Sequence, residues 1–185
     1  MPQFHDATAD VAASVRELYV ELAPGIARSL GRLVQPGVPV DDLLHDVFVV
    51  ALRRPETMLR AESPRAWLYG IAMKVAVGAR RKQRLRQLLG LADAREPTMP
   101  LDPARTLEQR EAQLQVTRAL HRLDPKKREV LVLFELEGLT GEEVAAAVGC
   151  SLNTVWTRLH RARAELKQKL LQLETVDQVS ARRTP

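Results

Sequence analysis

Between Gly149 and Arg163 the chain reads GCSLNTVWTRLHRAR. Val155, Leu159 and Ala162 recur at i, i+4 and i+7, which places them on one face of a helix. The other side keeps Asn153, Thr154, Trp156, Thr157, His160, Arg161 and Arg163, all hydrogen-bonding, aromatic or cationic. Asparagine pairs with adenine and arginine with guanine through two hydrogen bonds each, and threonine bonds bases or phosphates. That is the chemistry of reading nucleic acid rather than of breaking bonds. Trp156 suits a thymine methyl or a sugar, and equally an anchor for the domain's own packing. Arg158 either joins the basic face or pairs with Glu142 or Glu143, and His160 is a base reader or a plain surface residue. Cys150 reads as a small buried hydrophobe.

A second cationic set lies upstream. Lys74, Arg80, Arg81, Lys82, Arg84 and Arg86 fall within thirteen residues that contain no acid. Such a stretch contacts phosphates or is a solvated basic face. Against these, the ingredients of catalysis are missing. No paired carboxylates have a cleft-like context, and no glycine-rich phosphate loop occurs. His5, His45, His121 and His160 are scattered singly, without metal-ligand spacing. No enzyme activity, cofactor or metal is expected.

The composition agrees. A net charge of +5 and a pI near 9.8 favour acidic partners, nucleic acid being the commonest. The single cysteine excludes an internal disulfide and fits a reducing interior. No apolar run approaches the roughly 18–20 residues that span a bilayer. The opening MPQFHDATAD lacks the basic start and apolar stretch of a secretory signal, so a cytoplasmic protein without membrane insertion is expected.

The elements that must position these residues are helices. Leu18, Tyr19, Leu22, Ile26, Leu30 and Leu33 form one stripe, which Pro24-Gly25 is expected to bend or divide. Leu43, Leu44, Val47, Phe48 and Ala51 form the buried face of the next helix, ending near Arg54 because Pro55 follows. RPETMLRAESPR reads as a loop. Ser63-Pro64 then opens a helix, the serine as cap and the proline giving up a donor already unpaired. Its core face is Trp67, Leu68, Ile71, Ala72 and Val75.

GLADAREPTMPLDP, with three prolines, reads as a flexible linker that fixes no geometry between the halves. Beyond it Ala112, Val116, Ala119, Leu120 and Leu123 mark a helix, and Asp124-Pro125 starts another. EVLVLFELEG is ambiguous between strand and helix. The cap before it and Gly138 after it decide for helix. Thr140 and Glu143 have capping-box spacing, Gly149 permits a left-handed turn, and Ser151 offers the following cap. Helix, short glycine turn, helix is a helix-turn-helix signature, whose second helix enters the major groove. The fold class is therefore all-α: two small helical domains, 10–89 and 104–172, joined by a linker over 90–103. A tail over 173–185 is expected to be disordered.

Two stretches carry a resemblance. LDPKKREVLVLFELEGLTGEEVAAAVGCSLNTVWTRLHRARAEL resembles region 4 of the sigma-70 family, in its extracytoplasmic-function (ECF) type. DDLLHDVFVVAL and SPRAWLYGIAMKVAVGARRKQR resemble region 2 of the same family. The resemblance implies an alternative sigma factor, which binds RNA polymerase core and directs promoter recognition, melting and initiation. It implies that Asp41, Asp42, His45 and Asp46 meet the polymerase, with His45 where the family usually has glutamine. Ser63, Trp67, Lys74, Arg80, Arg81 and Arg84 would meet minus-ten DNA, the loop from Pro55 to Ser63 forming a base pocket. Ser151, Asn153, Thr154, Trp156, Thr157, Arg158, His160 and Arg161 would meet the minus-thirty-five duplex.

Trp67 matches an aromatic associated with melting, or is simply core. Leu68 stands where larger relatives have a second aromatic. Lys74 and Gly78 replace the asparagine and aspartate common in ECF factors, and lysine cannot make asparagine's paired contact with adenine. Asp93, Glu96 and Asp102 give the linker some acidic character as it threads past the polymerase active site. Partners implied are RNA polymerase core, promoter DNA and an anti-sigma factor. Two other readings compete: a stand-alone helix-turn-helix regulator, and a sigma-like mimic that sequesters an anti-sigma factor.

Overall fold

The computed structural model describes residues 4–91 and 106–181, entirely helical apart from short turns. The linker acids Asp93, Glu96 and Asp102 lie outside the described residues. The N-terminal half comprises α1 (Phe4–Leu33), α2 (Val40–Arg53), α3 (Pro55–Leu59) and α4 (Pro64–Leu88). The C-terminal half comprises α5 (Leu107–His121), α6 (Pro125–Leu131), α7 (Gly141–Val148) and α8 (Leu152–Ala181). α6 runs on without a break into a wide π-helical turn, Val132–Leu136. There the Glu137 amide reaches back to the Val132 carbonyl (3.1 Å) and the Leu139 amide to Leu133 (3.1 Å).

The amphipathic stripes become the core. Ile26, Leu30 and Leu33 of α1 are completely buried, as are Val47 and Ala51 of α2, Met58 of α3, and Leu68 and Ala72 of α4. In the C-terminal half Leu120, Val130, Leu133, Val144 and Val155 are equally enclosed. Each of these side chains larger than alanine contributes about 1.5–3 kcal/mol. These residues form one continuous cluster across both halves. α4 packs along α7, and α1 touches α5, α6 and the π turn. The two halves are thus docked, although a flexible linker alone gave no reason to expect a particular placement.

Three elements depart from the sequence reading. α1 is neither divided nor ended at Pro24, which sits inside the helix. Pro24 is exposed and Val20 is 73% exposed, so water can serve the carbonyl that loses its amide partner. The stretch read as a loop after Arg54 instead forms the short helix α3. Pro55 starts it, and Met58 plugs the core with no exposed surface. The tail expected to be disordered from residue 173 is helical to Ala181. Leu166 continues the stripe of Leu159 and Ala162, and Leu173, seven residues further, is still buried. The ambiguous run after Glu129 is helical, as its flanking cap and glycine required, but its second half is the π turn.

Candidate nucleic-acid interface

The helix-turn-helix is built from local signals. The Thr140 hydroxyl accepts from the Glu143 amide (3.2 Å), and the Glu143 carboxylate accepts from the Thr140 amide (2.9 Å), closing the capping box at the start of α7. Gly149 ends α7 at φ 67°, a left-handed conformation that side-chain-bearing residues rarely adopt. Ser151 accepts from the Thr154 amide (3.3 Å) and shares a hydroxyl–hydroxyl bond with Thr154 (2.8 Å). Val155, Leu159 and Ala162 then anchor α8 to the core. Asn153, Trp156, Thr157, His160 and Arg161 are exposed on its opposite face.

These exposed residues are not equivalent. The Thr157 hydroxyl donates to the Asn153 carbonyl (2.9 Å), and Ser151 and Thr154 are engaged in capping. Trp156, 43% exposed, lies edge-on to Phe134 (ring centroids 5.3 Å apart) and directly over Gly141. It therefore carries the packing role foreseen as one of its two uses. Arg158 makes no ion pair with Glu142 or Glu143; its guanidinium points at Cys150 Sγ, 3.7 Å away. Arg163 pairs with Glu135 (2.5 Å) above the Phe134 ring. Among the described residues, Asn153, His160 and Arg161 keep side chains that are exposed and uncommitted.

On α2, Asp41, Asp42, His45 and Asp46 are all exposed, opposite buried Leu43, Val47 and Phe48. On α4 the expected set is divided. Lys74, Arg81 and Arg84 are exposed, whereas Ser63, Trp67 and Arg80 are half-buried. Ser63 caps α4 by accepting from the Ala66 amide (3.1 Å). The nearby Ser63 hydroxyl, and then the Thr140 amide, hold the Glu143 carboxyl below its ordinary range. Arg80 pairs with Glu129 and donates to the Leu33 carbonyl (3.2 Å). Ser63, Trp67 and Lys74 line a cavity of about 340 Å³ whose opposite wall is Glu142, Glu143, Ala146 and Ala147 of α7.

The sequence reading missed a buried polar seam between the halves. The carboxylate of Glu137, itself only 7% exposed, accepts from Ser29 Oγ (2.5 Å) and Tyr69 Oη (2.6 Å), with Arg32 at 3.5 Å. Arg65 donates to the Glu137 carbonyl and stacks on the Tyr69 ring at 5.8 Å. Burial, then the bond to Glu137, raises the Tyr69 pKa, so the phenol keeps its proton. In the same seam, buried Arg128 donates to the carbonyls of Leu33 (3.3 Å), His121 (2.9 Å) and Leu123 (3.2 Å) and meets His121 Nδ1 (3.1 Å). Burial and the neighbouring Arg80 lower its pKa to about 10, which leaves it charged at neutral pH. The carbonyl end of α1 thus collects Arg80 and Arg128, where the helix dipole favours cations. One sequence signal did point here: Glu129 and Glu137 flank a run that is apolar except for Glu135.

The chain matches the family descriptions "Sigma-70 region 2" over residues 18–86 and "Sigma-70, region 4" over residues 113–166. It is 34% identical over 147 residues to the RNA polymerase sigma-E factor of Streptomyces coelicolor, covering 79% of this chain and 80% of that one. It is 28% identical over 177 residues to the ECF RNA polymerase sigma factor SigL of Mycobacterium tuberculosis, covering 94% and 98%. Among solved structures it superposes on CnrH in complex with the cytosolic domain of CnrY, with a TM-score of 0.64 and 26% identity, over 88% and 94% of the two chains.

Proposed function

Because this chain belongs to the sigma-70 family of RNA polymerase sigma factors, in its extracytoplasmic-function type, we propose that it binds core RNA polymerase through the acidic face of α2 and directs it to a two-element promoter. The observation that carries this reading is the division of labour between the halves. An exposed Asp41–Asp42–Asp46 face lies on one bundle, and an exposed Asn153–His160–Arg161 face lies on the helix-turn-helix of the other. α8 enters the major groove of the minus-thirty-five duplex with its N-terminal turns, Asn153 and Arg161 making the base contacts. Ser151, Thr154 and Thr157 hold the helix start, leaving their remaining lone pairs for phosphates.

The N-terminal half takes the non-template strand of the minus-ten element on α4. Trp67 supplies the stacking surface that offsets unpairing, and Arg80, Arg81 and Arg84 follow the backbone. Leu68 is fully buried and cannot stack, so strand opening rests on one aromatic. Lys74 neutralises phosphate without reading adenine, which shifts specificity toward the upstream element. The complex of the relative CnrH with CnrY supports an anti-sigma partner for this chain as well. Among the described residues no helix is long and apolar enough to cross a membrane.

The test is run-off transcription with purified core polymerase on a library of promoter fragments, with and without the protein. New start sites sharing two spaced elements are expected, and Asp42→Arg is expected to abolish them while leaving the fold intact. Core binding without initiation on any fragment would refute the reading and favour a sigma-like mimic. Specific promoter binding that needs no polymerase would favour a stand-alone regulator.

A further inference from the structure

Where the end of α1 and the turn into α2 face α5, the two halves enclose a cavity of about 140 Å³. One side is apolar: Val34 and Val40 are buried and Val38 is half-buried. Leu114 and His121 of α5 form the other. His121 turns its Nδ1 to Arg128 (3.1 Å), and burial, then that guanidinium, lowers its pKa to about 4, so at neutral pH it presents an uncharged ring. Arg118 stands at the mouth, exposed and without an ion pair among the described residues. No acid lines the cavity, and Asp42, two positions beyond Val40, opens onto a separate crevice.

Gly31 keeps this space open. Glycine inside a helix weakens it relative to alanine, so a helical glycine needs a reason. Packing supplies one at Gly25, Gly70 and Gly141, where a Cβ would come within 2.8 Å of Tyr69 Oη, 3.4 Å of Ala147 Cα and 2.6 Å of Trp156 Cζ2. Gly78 is exposed and faces open space. At half-buried Gly31 a Cβ would meet Val40 Cγ2 at an ordinary 3.8 Å, so alanine would fit and strengthen α1. What alanine would remove is cavity. An apolar space of about 150 Å³ takes up a benzene-sized molecule, whereas water there lacks polar partners. A carboxylate suits the planar fork of Arg118, and at the mouth it stays partly hydrated, so no charge is buried unpaired.

We propose that this cavity is a binding site for a small apolar monocarboxylate, its hydrocarbon body against Val34, Val38 and Leu114 and its carboxylate on Arg118. α1 and α2 close one side and α5 the other, so neither half forms the site alone. Occupancy therefore strengthens the docking of the halves: ligand at about ten times its dissociation constant multiplies the docking constant about elevenfold. None of the lining residues is among those assigned to polymerase or DNA, so an organic acid can act on the protein's conformation without touching either surface. The inference does not depend on the transcriptional role.

Benzoate is the probe, with benzamide as its neutral isostere and benzylamine as its cationic counterpart. Each is titrated into the full-length protein at neutral pH and followed by amide chemical shifts. Saturable shifts at Gly31, Val38 and Arg118 are expected with benzoate, binding weaker by about fivefold with benzamide, and none with benzylamine. Gly31→Ala is expected to weaken benzoate about tenfold, the worth of one misplaced methyl group in an apolar pocket, while raising the melting temperature. Arg118→Gln is expected to bring benzoate down to the affinity of benzamide and to leave benzamide unchanged. Absence of saturable benzoate binding below about 10 mM would overturn the site. Undiminished affinity in Gly31→Ala, or shifts confined to other residues, would place the binding elsewhere and overturn it as well. Equal affinities for benzoate and benzamide, with Arg118→Gln silent, would overturn the acid as the ligand class.

Discussion

Gly141 offers the sharpest test of how the recognition helix is held. A Cβ built on it lies 2.6 Å from Trp156 Cζ2, 3.0 Å from Trp156 Cη2 and 2.9 Å from Leu152 Cδ1. Carbon atoms prefer about 3.5–4.0 Å, so Gly141→Ala must push the indole back by about 1 Å. Overpacking of this kind costs about 1–3 kcal/mol. Gly141 has an ordinary negative φ at the first turn of α7, where alanine would otherwise gain about 0.4–1 kcal/mol. The net loss is about 1–2 kcal/mol, a fall in melting temperature of about 2–8 °C for a chain of this size. In a Trp156→Leu background the indole is gone and the flexible end of Leu152 can swing into the space it leaves, so Gly141→Ala should become nearly neutral. A double-mutant cycle by urea denaturation should then show coupling of about 1–2 kcal/mol. Equal destabilisation in both backgrounds would refute the assignment of Trp156 as the anchor under α8.

Two further outcomes are expected. His121 is held neutral by burial and by the adjacent Arg128, its pKa lowered from 6.5 to about 4. The unfolded chain therefore takes up the proton first, and stability is complete above pH 6.5 and falls as the pH drops toward 4. Allowing for the ring's partial contact with solvent, the loss is about 1–2 kcal/mol. His121→Gln should flatten this part of the pH profile measured by urea unfolding, and a profile of unchanged slope would count against it. Arg161→Ala should weaken binding to the minus-thirty-five duplex by about 1–3 kcal/mol, the worth of one paired base contact, with unaltered melting temperature. An equal loss on unrelated duplexes would reassign Arg161 to a phosphate.

The helix-turn-helix was legible in the sequence because everything that shapes it is local. The Thr140–Glu143 box, Gly149 and the Ser151 cap act within a few residues of each other, and the i, i+4, i+7 spacing of Val155, Leu159 and Ala162 translates directly into a buried face. The acidic face of α2 was legible for the same reason. The seam was not. Ser29 is 108 positions from Glu137 and Tyr69 is 68, and neither hydroxyl advertises a distant partner. Arg80 resembled any member of a basic run until Glu129 was found opposite it. Pro24 misled because the cost of proline in a helix depends on whether water reaches the freed carbonyl, which periodicity alone does not reveal.

The π turn has a geometric consequence for that seam. In an uninterrupted α-helix, residues eight apart are separated by about 80° around the axis, at 100° per residue. Glu129 and Glu137 would then point to different neighbours. Between Val132 and Glu137 the bonding pattern is i to i+5, roughly 4.4 residues per turn, so each residue advances only about 82°. Three steps of about 100° and five of about 82° nearly complete two full revolutions. Both carboxylates are thereby brought into line along one edge of the same rod, facing α1 and α4 together. Angular phase, rather than any extra contact, lets a single helix hold two separate points of the opposing bundle. Regular α-helical geometry over the same eight steps would instead turn Glu137 about 90° away from Ser29 and Tyr69, with every side chain of the seam still present.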